Sequence, residues 1–154
     1  MANITFEDYY VDEMSYIENE EFDNDNSNKL EMDTFPKANV YINEDLALIL
    51  FEITVGDFEN AKCPFVCKLN IKAFFKYTVS DTEEDIEELK ILLTQNTIAI
   101  LYPYVRSIIS DLTLRSNKFP AFVLPTINVV KLMQDNDAIQ LFNIEQVVTT
   151  SEDE

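Results

Sequence analysis

The side chains that hydrolytic triads and most metal sites require, histidine and clustered cysteine, are absent from this sequence. Its 154 residues include no histidine, a single glycine (Gly56) and two cysteines, Cys63 and Cys67. We place both cysteines on one strand, where four residues separate them by about 13 Å, which is too far for a disulfide bond. They are expected to be reduced, buried thiols, and one glycine cannot build a phosphate-binding loop. The sequence therefore argues against hydrolytic triads, metal centres and familiar nucleotide sites, and no cofactor is expected.

The densest group of carboxylates on a predicted ordered element is Glu83, Glu84 and Asp85, which could in principle do acid–base chemistry. These acids directly follow Ser80 and Thr82, either of which can cap a helix. Acidic side chains in the first turn of a helix interact favourably with the helix dipole, so a structural role is preferred. We therefore expect that the protein is not an enzyme.

Charge and composition restrict the partners. The chain has 29 acidic and 11 basic residues, and its net charge of -18 repels nucleic acid and anionic membranes. It contains neither an uncharged apolar run of about 18 residues nor a secretion signal, which indicates a cytoplasmic protein without membrane insertion. With 47% apolar residues, we expect one domain over residues 1–150, an acidic loop at 18–28 and an acidic tail at 151–154.

Two segments, residues 46–55 and 65–79, alternate apolar and polar side chains with the period of two that is typical of strands. Gly56 lies between them and predicts an antiparallel hairpin. Weaker alternation at 8–18 and 28–35 predicts two further strands. The predicted core faces are Ala47, Ile49, Phe51, Ile53 and Val55 on the first segment, and Phe65, Cys67, Leu69, Ile71, Ala73, Phe75, Tyr77 and Val79 on the second.

A long helix is predicted from Glu83 onward. Pro103 removes one backbone donor and crowds the carbonyl of Ala99, at a cost of about 3 kcal/mol, so we expect a bend within residues 96–103. The helix carries two apolar stripes, which is more apolar surface than one sheet covers, so one stripe is expected to face a partner subunit. The stripe assigned to the sheet is Ile100, Tyr104, Ile108 and Leu112, and the stripe assigned to the oligomer interface is Ile98, Tyr102, Val105 and Ile109.

An apolar loop with two prolines, residues 116–126, follows the helix. Its Phe and Leu side chains fit either a satellite core beneath the loop or the wall of a groove for apolar segments, and the residues alone favour the satellite core. A short amphipathic segment follows at 127–134. Residues 135–148 fit either a helical turn or a strand.

The run from Leu101 to Met133, with its "PYVR" helix followed by a Phe-Pro loop that ends in a second proline, resembles the signature region of SecB. SecB is the bacterial protein-export chaperone, and looser similarity to its four strands extends over residues 9–134. The resemblance implies an α+β fold, with a four-stranded antiparallel sheet backed by a long kinked helix and a shorter C-terminal helix. It also implies a homotetramer built as a dimer of dimers.

The resemblance further implies a molecular chaperone that holds unfolded or pre-export polypeptides in apolar grooves without ATP. Binding of this kind depends on summed apolar burial, which tolerates many client sequences. By analogy with the family, the client groove would be lined by Leu30, Met32, Phe119, Phe122, Leu124, Ile127, Val130 and Met133.

Family members also dock the SecA motor ATPase through acidic side chains on the exposed face of the sheet. Glu13 stands at one expected acidic position, whereas Ile17 and Lys68 stand at the other two. Three functions therefore remain: a holdase serving export, a chaperone dedicated to one client such as an antitoxin and without SecA docking, and an oligomeric scaffold that is not a chaperone.

Overall fold

The computed structural model describes residues 1–23, 32–125 and 128–143. The predicted acidic tail and residues 24–28 of the predicted acidic loop lie outside these ranges. Within them, strands and helices occur together, and the predicted α+β class is confirmed. The elements are β1 (Asn3–Glu18), β2 (Thr34–Asn43), β3 (Leu46–Val55), β4 (Phe65–Thr78), α1 (Glu83–Ile91), a π-helical segment (Leu92–Asn96), α2 (Thr97–Arg115), α3 (Val129–Asp135) and β5 (Ile139–Phe142).

The strands form one sheet in the order β1-β4-β3-β2-β5. The first four strands pair antiparallel, as predicted. The short β5 adds a fifth strand, which runs parallel to β2 and pairs with residues 38–41. The strand alternative for residues 135–148 is thus the correct one at 139–142. Among the described strands, β1 and β5 are the two edges of the sheet.

The second strand lies further along the chain than the sequence predicted. We expected it at residues 28–35, of which 28–31 lie outside the described residues. Residues 32 and 33 are not in a strand, and β2 begins at Thr34, with the buried side chains Ala38, Val40 and Ile42 facing inward. A two-residue turn at Glu44 and Asp45 joins it directly to β3. Within the described residues the predicted bounds of this strand were wrong. The turn has no glycine and the strand contains a proline, so the sequence lacks the usual signals of a hairpin.

The predicted hairpin between β3 and β4 is confirmed, and Gly56 begins its loop. The φ angle of Gly56 is +95°, in the region that favours glycine, and its N–H donates to the carbonyl of Asp33 at 2.7 Å. A Cβ atom at this position would collide with the carbonyl oxygen of Phe65. The backbone conformation and the close approach of Phe65 therefore require glycine at position 56.

The core lies between the helices and the inner face of β2, β3 and β4. Every predicted core residue of the two clearest strands is buried, apart from Val79, which is half-buried at the edge of the core. Both cysteines are buried, as expected. Cys63, however, precedes β4 instead of lying on it, so the prediction that both share one strand was wrong.

Of the two candidate caps, Thr82 is the N-cap of α1, and its hydroxyl accepts from the backbone N–H of Asp85 at 3.2 Å. The helical region departs from α-helical geometry in the π-helical segment Leu92–Asn96, which joins α1 to α2. This segment meets the range where we expected a bend, residues 96–103, at Asn96. Pro103 lies inside α2 without ending it. Both Pro103 and Ala99 are exposed, so water can solvate the carbonyl that the proline leaves unpaired.

The shorter C-terminal helix α3 has Asn128 as its N-cap, and the side chain of Asn128 accepts from the N–H of Lys131 at 3.1 Å. It packs against α2 and buries Val129 and Met133. Within the described ranges, no helix is both long enough and apolar enough to cross a membrane.

Candidate functional site

Four aromatic rings from four different parts of the chain form a row at one end of α2. We call Tyr16, Phe65, Phe119 and Phe22 the aromatic row. Tyr16 on β1 lies 5.0 Å from Phe65 at the start of β4, Phe65 lies 6.0 Å from Phe119 in the loop after α2, and Phe119 lies 5.8 Å from Phe22 (ring centroids). Phe65 is buried, and the other three rings are half-buried. The row is therefore a partly accessible aromatic surface.

Phe22 was missed by the sequence analysis because it stands in an acidic stretch that we expected to be solvated. The described part of that stretch is ordered by Asn19, which is 3% exposed and donates to the carbonyls of Asn60 and Cys63 at 3.1 and 2.9 Å. The N–H of Phe22 donates to the carbonyl of Asn19 at 3.1 Å. The feature of the sequence that could have indicated this contact is a single aromatic residue, Phe22, within an acidic stretch.

The loop that carries Phe119 is fastened to α2 and β1 by side chains. The buried hydroxyl of Thr113 accepts from the N–H of Phe122 at 2.8 Å, and Arg106 donates to the carbonyl of Leu124 at 2.9 Å. Lys118 forms an ion pair with Glu18 of β1. These contacts position Phe119 beside β1 and β4.

Tyr102 forms a further hydrogen bond to the loop, because its hydroxyl donates to the carbonyl of Pro125 at 2.8 Å. Burial of this phenol raises its pKa, so the hydroxyl stays protonated and remains a donor at neutral pH. The loop is thus held along most of its length.

The predicted groove residues do not all reach a surface. Leu124 and Met133 are fully buried in the main core, so neither lines an open groove in this structure. Leu30 and Ile127 lie outside the described residues. Those that are half-buried and pack against the core are Met32, Phe119, Phe122 and Val130.

The two apolar stripes of α2 face opposite ways from those predicted. Ile98, Tyr102, Val105 and Ile109, which we had assigned to a partner subunit, are buried inside the chain, with exposed fractions between 0 and 8%. Of the other stripe, Ile100 and Tyr104 are each 39% exposed. The assignment was wrong because the sequence shows two apolar stripes without showing which of them meets the sheet.

Tyr104 lies over β1, with its ring 5.9 Å from Phe6 and 4.9 Å from Tyr9. Further along β1, Val11 and Met14 pair with the inward residues Ile71 and Leu69, so they share the helix-facing side of the sheet. They are nevertheless 41% and 59% exposed. We call Val11, Met14, Ile100 and Tyr104 the edge surface: two exposed apolar residues of the edge strand β1 and two of α2, of which Tyr104 contacts β1.

The helix-free face of the sheet carries the positions expected to dock SecA. Glu13 accepts from the side chain of Asn70 at 3.3 Å, Ile17 is 54% exposed, and Lys68 is exposed. Two further acids of β1 are paired with lysines of β4, with Asp12 3.7 Å from Lys72 and Glu7 3.7 Å from Lys76. The face therefore presents acid–lysine pairs, and Glu13 is the one acid at the three positions that the family uses to dock SecA.

The titratable groups with perturbed pKa values have structural explanations. Burial raises the pKa of Cys67 to about 12, so this thiol is protonated and unreactive at neutral pH. Hydrogen bonds from Ser80, together with the N-terminal ammonium group of Met1, lower the pKa of Asp85 to about 2. The same contact raises the pKa of that ammonium group. None of these groups lies in the aromatic row.

Comparisons with known proteins agree with this architecture. A family model for SecB, described as preprotein translocase subunit SecB, matches residues 2–140. The uncharacterised protein MJ0357 of Methanocaldococcus jannaschii is 30% identical over 148 residues, covering 95% of this chain and 92% of that protein. The Mycobacterium tuberculosis Rv1957 SecB-like chaperone, solved in complex with a ChAD peptide from the Rv1956 HigA1 antitoxin, matches with a TM-score of 0.60. That match covers 80% of this chain and 87% of the other, at 19% identity, and shows similarity of fold alone.

Proposed function

This chain belongs to the SecB family, and from that premise we propose that it is a cytoplasmic, ATP-independent chaperone that holds unfolded polypeptides. The observation that carries the proposal is the aromatic row, which offers Phe119 and Phe22 as half-buried rings next to a buried Phe65. Burying apolar surface contributes about 25 cal/mol per Å², whatever the client sequence. A row of rings therefore suits clients that share exposed apolar residues and little else.

The charge of the protein supports the same proposal. A net charge of -18 keeps a complex with an aggregation-prone client in solution. It also favours encounters with neutral or basic unfolded chains over nucleic acid or anionic membranes. No step in this mechanism requires a catalytic residue or a cofactor.

Reduced lysozyme diluted from denaturant tests the proposal, because it aggregates and is basic. The purified protein at a stoichiometric dose should suppress light scattering equally with and without ATP. Phe119→Ala should weaken the suppression, whereas Phe35→Ala, which removes a 54% exposed ring from β2 on the helix-free face, should not. No suppression by the wild-type protein would contradict the chaperone proposal and favour the scaffold alternative.

We also propose that the edge surface is one of the two contacts between subunits that a tetramer built as a dimer of dimers requires. An edge strand with unpaired backbone groups and exposed apolar side chains commonly pairs with another chain. Light scattering should therefore give a mass well above the 17.9 kDa of one chain. Met14→Lys should shift the protein towards smaller species, and a wild-type monomer would contradict this proposal.

A second candidate is a chaperone dedicated to one client and without SecA docking, as opposed to one that serves export. The acid–lysine pairs of the helix-free face, with Ile17 and Lys68 at positions expected to be acidic, favour this candidate. The SecB-like chaperone of similar fold was solved with an antitoxin peptide, which is consistent with a single-client role. A pull-down with the zinc-containing tail of SecA separates the two: binding supports export, and no binding supports the dedicated role.

A further inference from the structure

A cleft of about 460 Å³ lies between α3 and the beginning of α2. Its polar side chains are four amides and one amine: Gln95, Asn96, Asn128, Gln134 and Lys131. We call it the amide cleft. The amides are accessible, since Gln95 is half-buried and the other three are exposed. Among the described residues, Gln95, Asn96 and Gln134 have no side-chain hydrogen-bond partner, and Asn128 uses only its side-chain oxygen.

Two departures from α-helical geometry border the amide cleft. The π-helical segment Leu92–Asn96 carries two of the amides, and Pro103 cannot donate to the carbonyl of Ala99, which also lines the cleft. A proline in the interior of a helix lowers its stability, and single π-helical turns are rare and frequently lie at functional sites. Both irregularities therefore affect the short stretch of backbone that forms one wall of the cleft.

Side chains compensate for the irregular backbone on the buried side of this stretch but not in the cleft. Thr97 is fully buried, and its hydroxyl donates to the carbonyl of Leu93 at 2.6 Å. No side chain of the described residues donates in this way to the carbonyl of Ala99, which is an exposed residue. The cleft thus combines an open backbone acceptor with amides that can both donate and accept hydrogen bonds.

We propose that the amide cleft binds the backbone of an extended client, whose peptide groups pair with the amides and donate to the carbonyl of Ala99. The client is that of the proposed chaperone function, on which this inference rests. A side-chain amide has one carbonyl and two N–H donors, so it can pair with both polar groups of a peptide unit. Nearly every residue of any client carries those two groups, so binding here tolerates many sequences.

The charge of the cleft favours a neutral ligand such as a peptide group. Lys131 is the one charged side chain among the described residues that line it. The net charge of -18 on the whole chain opposes the approach of a free anion to that single lysine. A peptide group has no net charge and makes full use of the four amides.

The amide cleft is separate from the aromatic row and from the edge surface. Ala99 lies about 21 Å along α2 from Thr113, which binds the loop of the aromatic row, at 1.5 Å per residue. Ala99 lines the cleft shared with α3, whereas Tyr104 of the edge surface lies over β1. Each of the three surfaces can therefore be altered alone.

Pro103→Ala tests the backbone acceptor, because alanine restores an N–H that can pair with the carbonyl of Ala99 inside the helix. The probe is reduced, carboxamidomethylated lysozyme, which cannot refold, and its Kd is measured by titration calorimetry in about 0.2 M salt to screen surface charge. Tm should rise by several degrees, while binding should weaken about 2- to 10-fold, the range for one neutral hydrogen bond. A higher Tm with unchanged Kd would refute the role of this carbonyl.

Gln134→Ala tests the amides, with Gln140→Ala as the matched control. Gln140 is also exposed, but it pairs with Asn39 of β2 on the helix-free face of the sheet. Gln134→Ala should weaken binding of the alkylated lysozyme about 2- to 10-fold and leave Tm unchanged, since the side chain has no partner to lose within the described structure. Gln140→Ala should change neither quantity.

A short peptide of Gly and Ser with blocked ends tests the cleft without the aromatic row, because it has no apolar side chain. In NMR spectra it should shift the side-chain amide signals of Asn96 and Gln134 and leave that of Gln140 in place. Oligosarcosine of the same length has no backbone N–H and should shift them less. If inorganic phosphate shifted these signals and the peptide did not, the cleft would be an anion site and the inference would be refuted.

The outcomes separate this inference from the proposed function. If the wild-type protein binds the alkylated lysozyme, but Pro103→Ala and Gln134→Ala bind it equally well and the Gly–Ser peptide shifts no cleft signal, the inference is refuted and the chaperone proposal stands. If the wild-type protein does not bind the alkylated lysozyme but the peptide shifts the cleft signals, the chaperone proposal falls and peptide binding by the cleft stands. If neither ligand binds, both proposals fall.

Discussion

Thr113 links α2 to the loop that carries Phe119 through hydrogen bonds of its hydroxyl, and Thr113→Val tests that link. The side chain is fully buried, and its hydroxyl donates to the carbonyl of Ile109 at 3.0 Å while accepting from the N–H of Phe122 at 2.8 Å. Valine preserves the shape but leaves the N–H of Phe122 without its acceptor. An unpaired buried donor costs about 1–3 kcal/mol.

For a chain of this size, a loss of about 1 kcal/mol lowers Tm by about 2–4 °C, so Thr113→Val should lower it by about 2–12 °C. Calorimetry at fixed protein concentration measures the change, since assembly also shifts Tm. Thr94→Val is the matched control, because the Thr94 hydroxyl donates only to the carbonyl of Lys90 in its own helical turn, at 2.7 Å. It should change Tm by much less.

Hydrogen exchange locates the effect of Thr113→Val. The amide of Phe122 should exchange faster in this variant than in the wild-type protein, because its acceptor is gone, while amides inside α2 keep their protection. If Thr113→Val and Thr94→Val had the same Tm and the Phe122 amide stayed protected, the loop would not be fastened through Thr113, and the reasoning would be refuted.

Three other predictions concern single groups. Gly56→Ala should destabilise the protein by about 1–3 kcal/mol in urea unfolding, because of the positive φ angle and the collision with Phe65, and an unchanged midpoint would contradict the geometry. The folded-state pKa of Asp85, about 2, lies below its ordinary value of 3.8, so its contribution is complete above pH 4 and is lost as the pH falls towards 2. Asp85→Asn should therefore reduce stability at pH 6 and lose less on acidification than the wild type, whereas Asp111→Asn, at an exposed ion pair, should behave like the wild type. Cys67 should react with a thiol reagent only after unfolding, as its raised pKa and burial require, and rapid labelling of the native protein at pH 8 would contradict this.

The parts of the fold that the sequence predicted are those governed by local patterns. The period of two in β3 and β4 identified their buried faces residue by residue, because one side of a strand meets the core and the other meets solvent. The acids after Thr82 identified the start of α1 for the same local reason. The SecB resemblance added the antiparallel sheet and the two helical segments.

The parts that could not be predicted depend on contacts between distant residues. Two apolar stripes on α2 gave no information about which one meets the sheet, and only the tertiary structure shows that Ile98 and Tyr102 are buried. The four-residue β5 is a strand because β2 offers it a parallel partner, and its own sequence is ambiguous. Phe22 joins the aromatic row through a turn fixed by the buried Asn19, in a segment whose composition indicated solvent.

Client binding by the wild-type protein tests the central claim most directly. The measurement is a calorimetric titration with two forms of lysozyme in about 0.2 M salt and without ATP: the native protein, and the reduced, carboxamidomethylated chain. Both forms carry similar positive charge, so general attraction to a protein of charge -18 affects them alike. We expect binding of the unfolded form and none of the native form. Equal binding of the two forms, or binding of neither, would contradict the account.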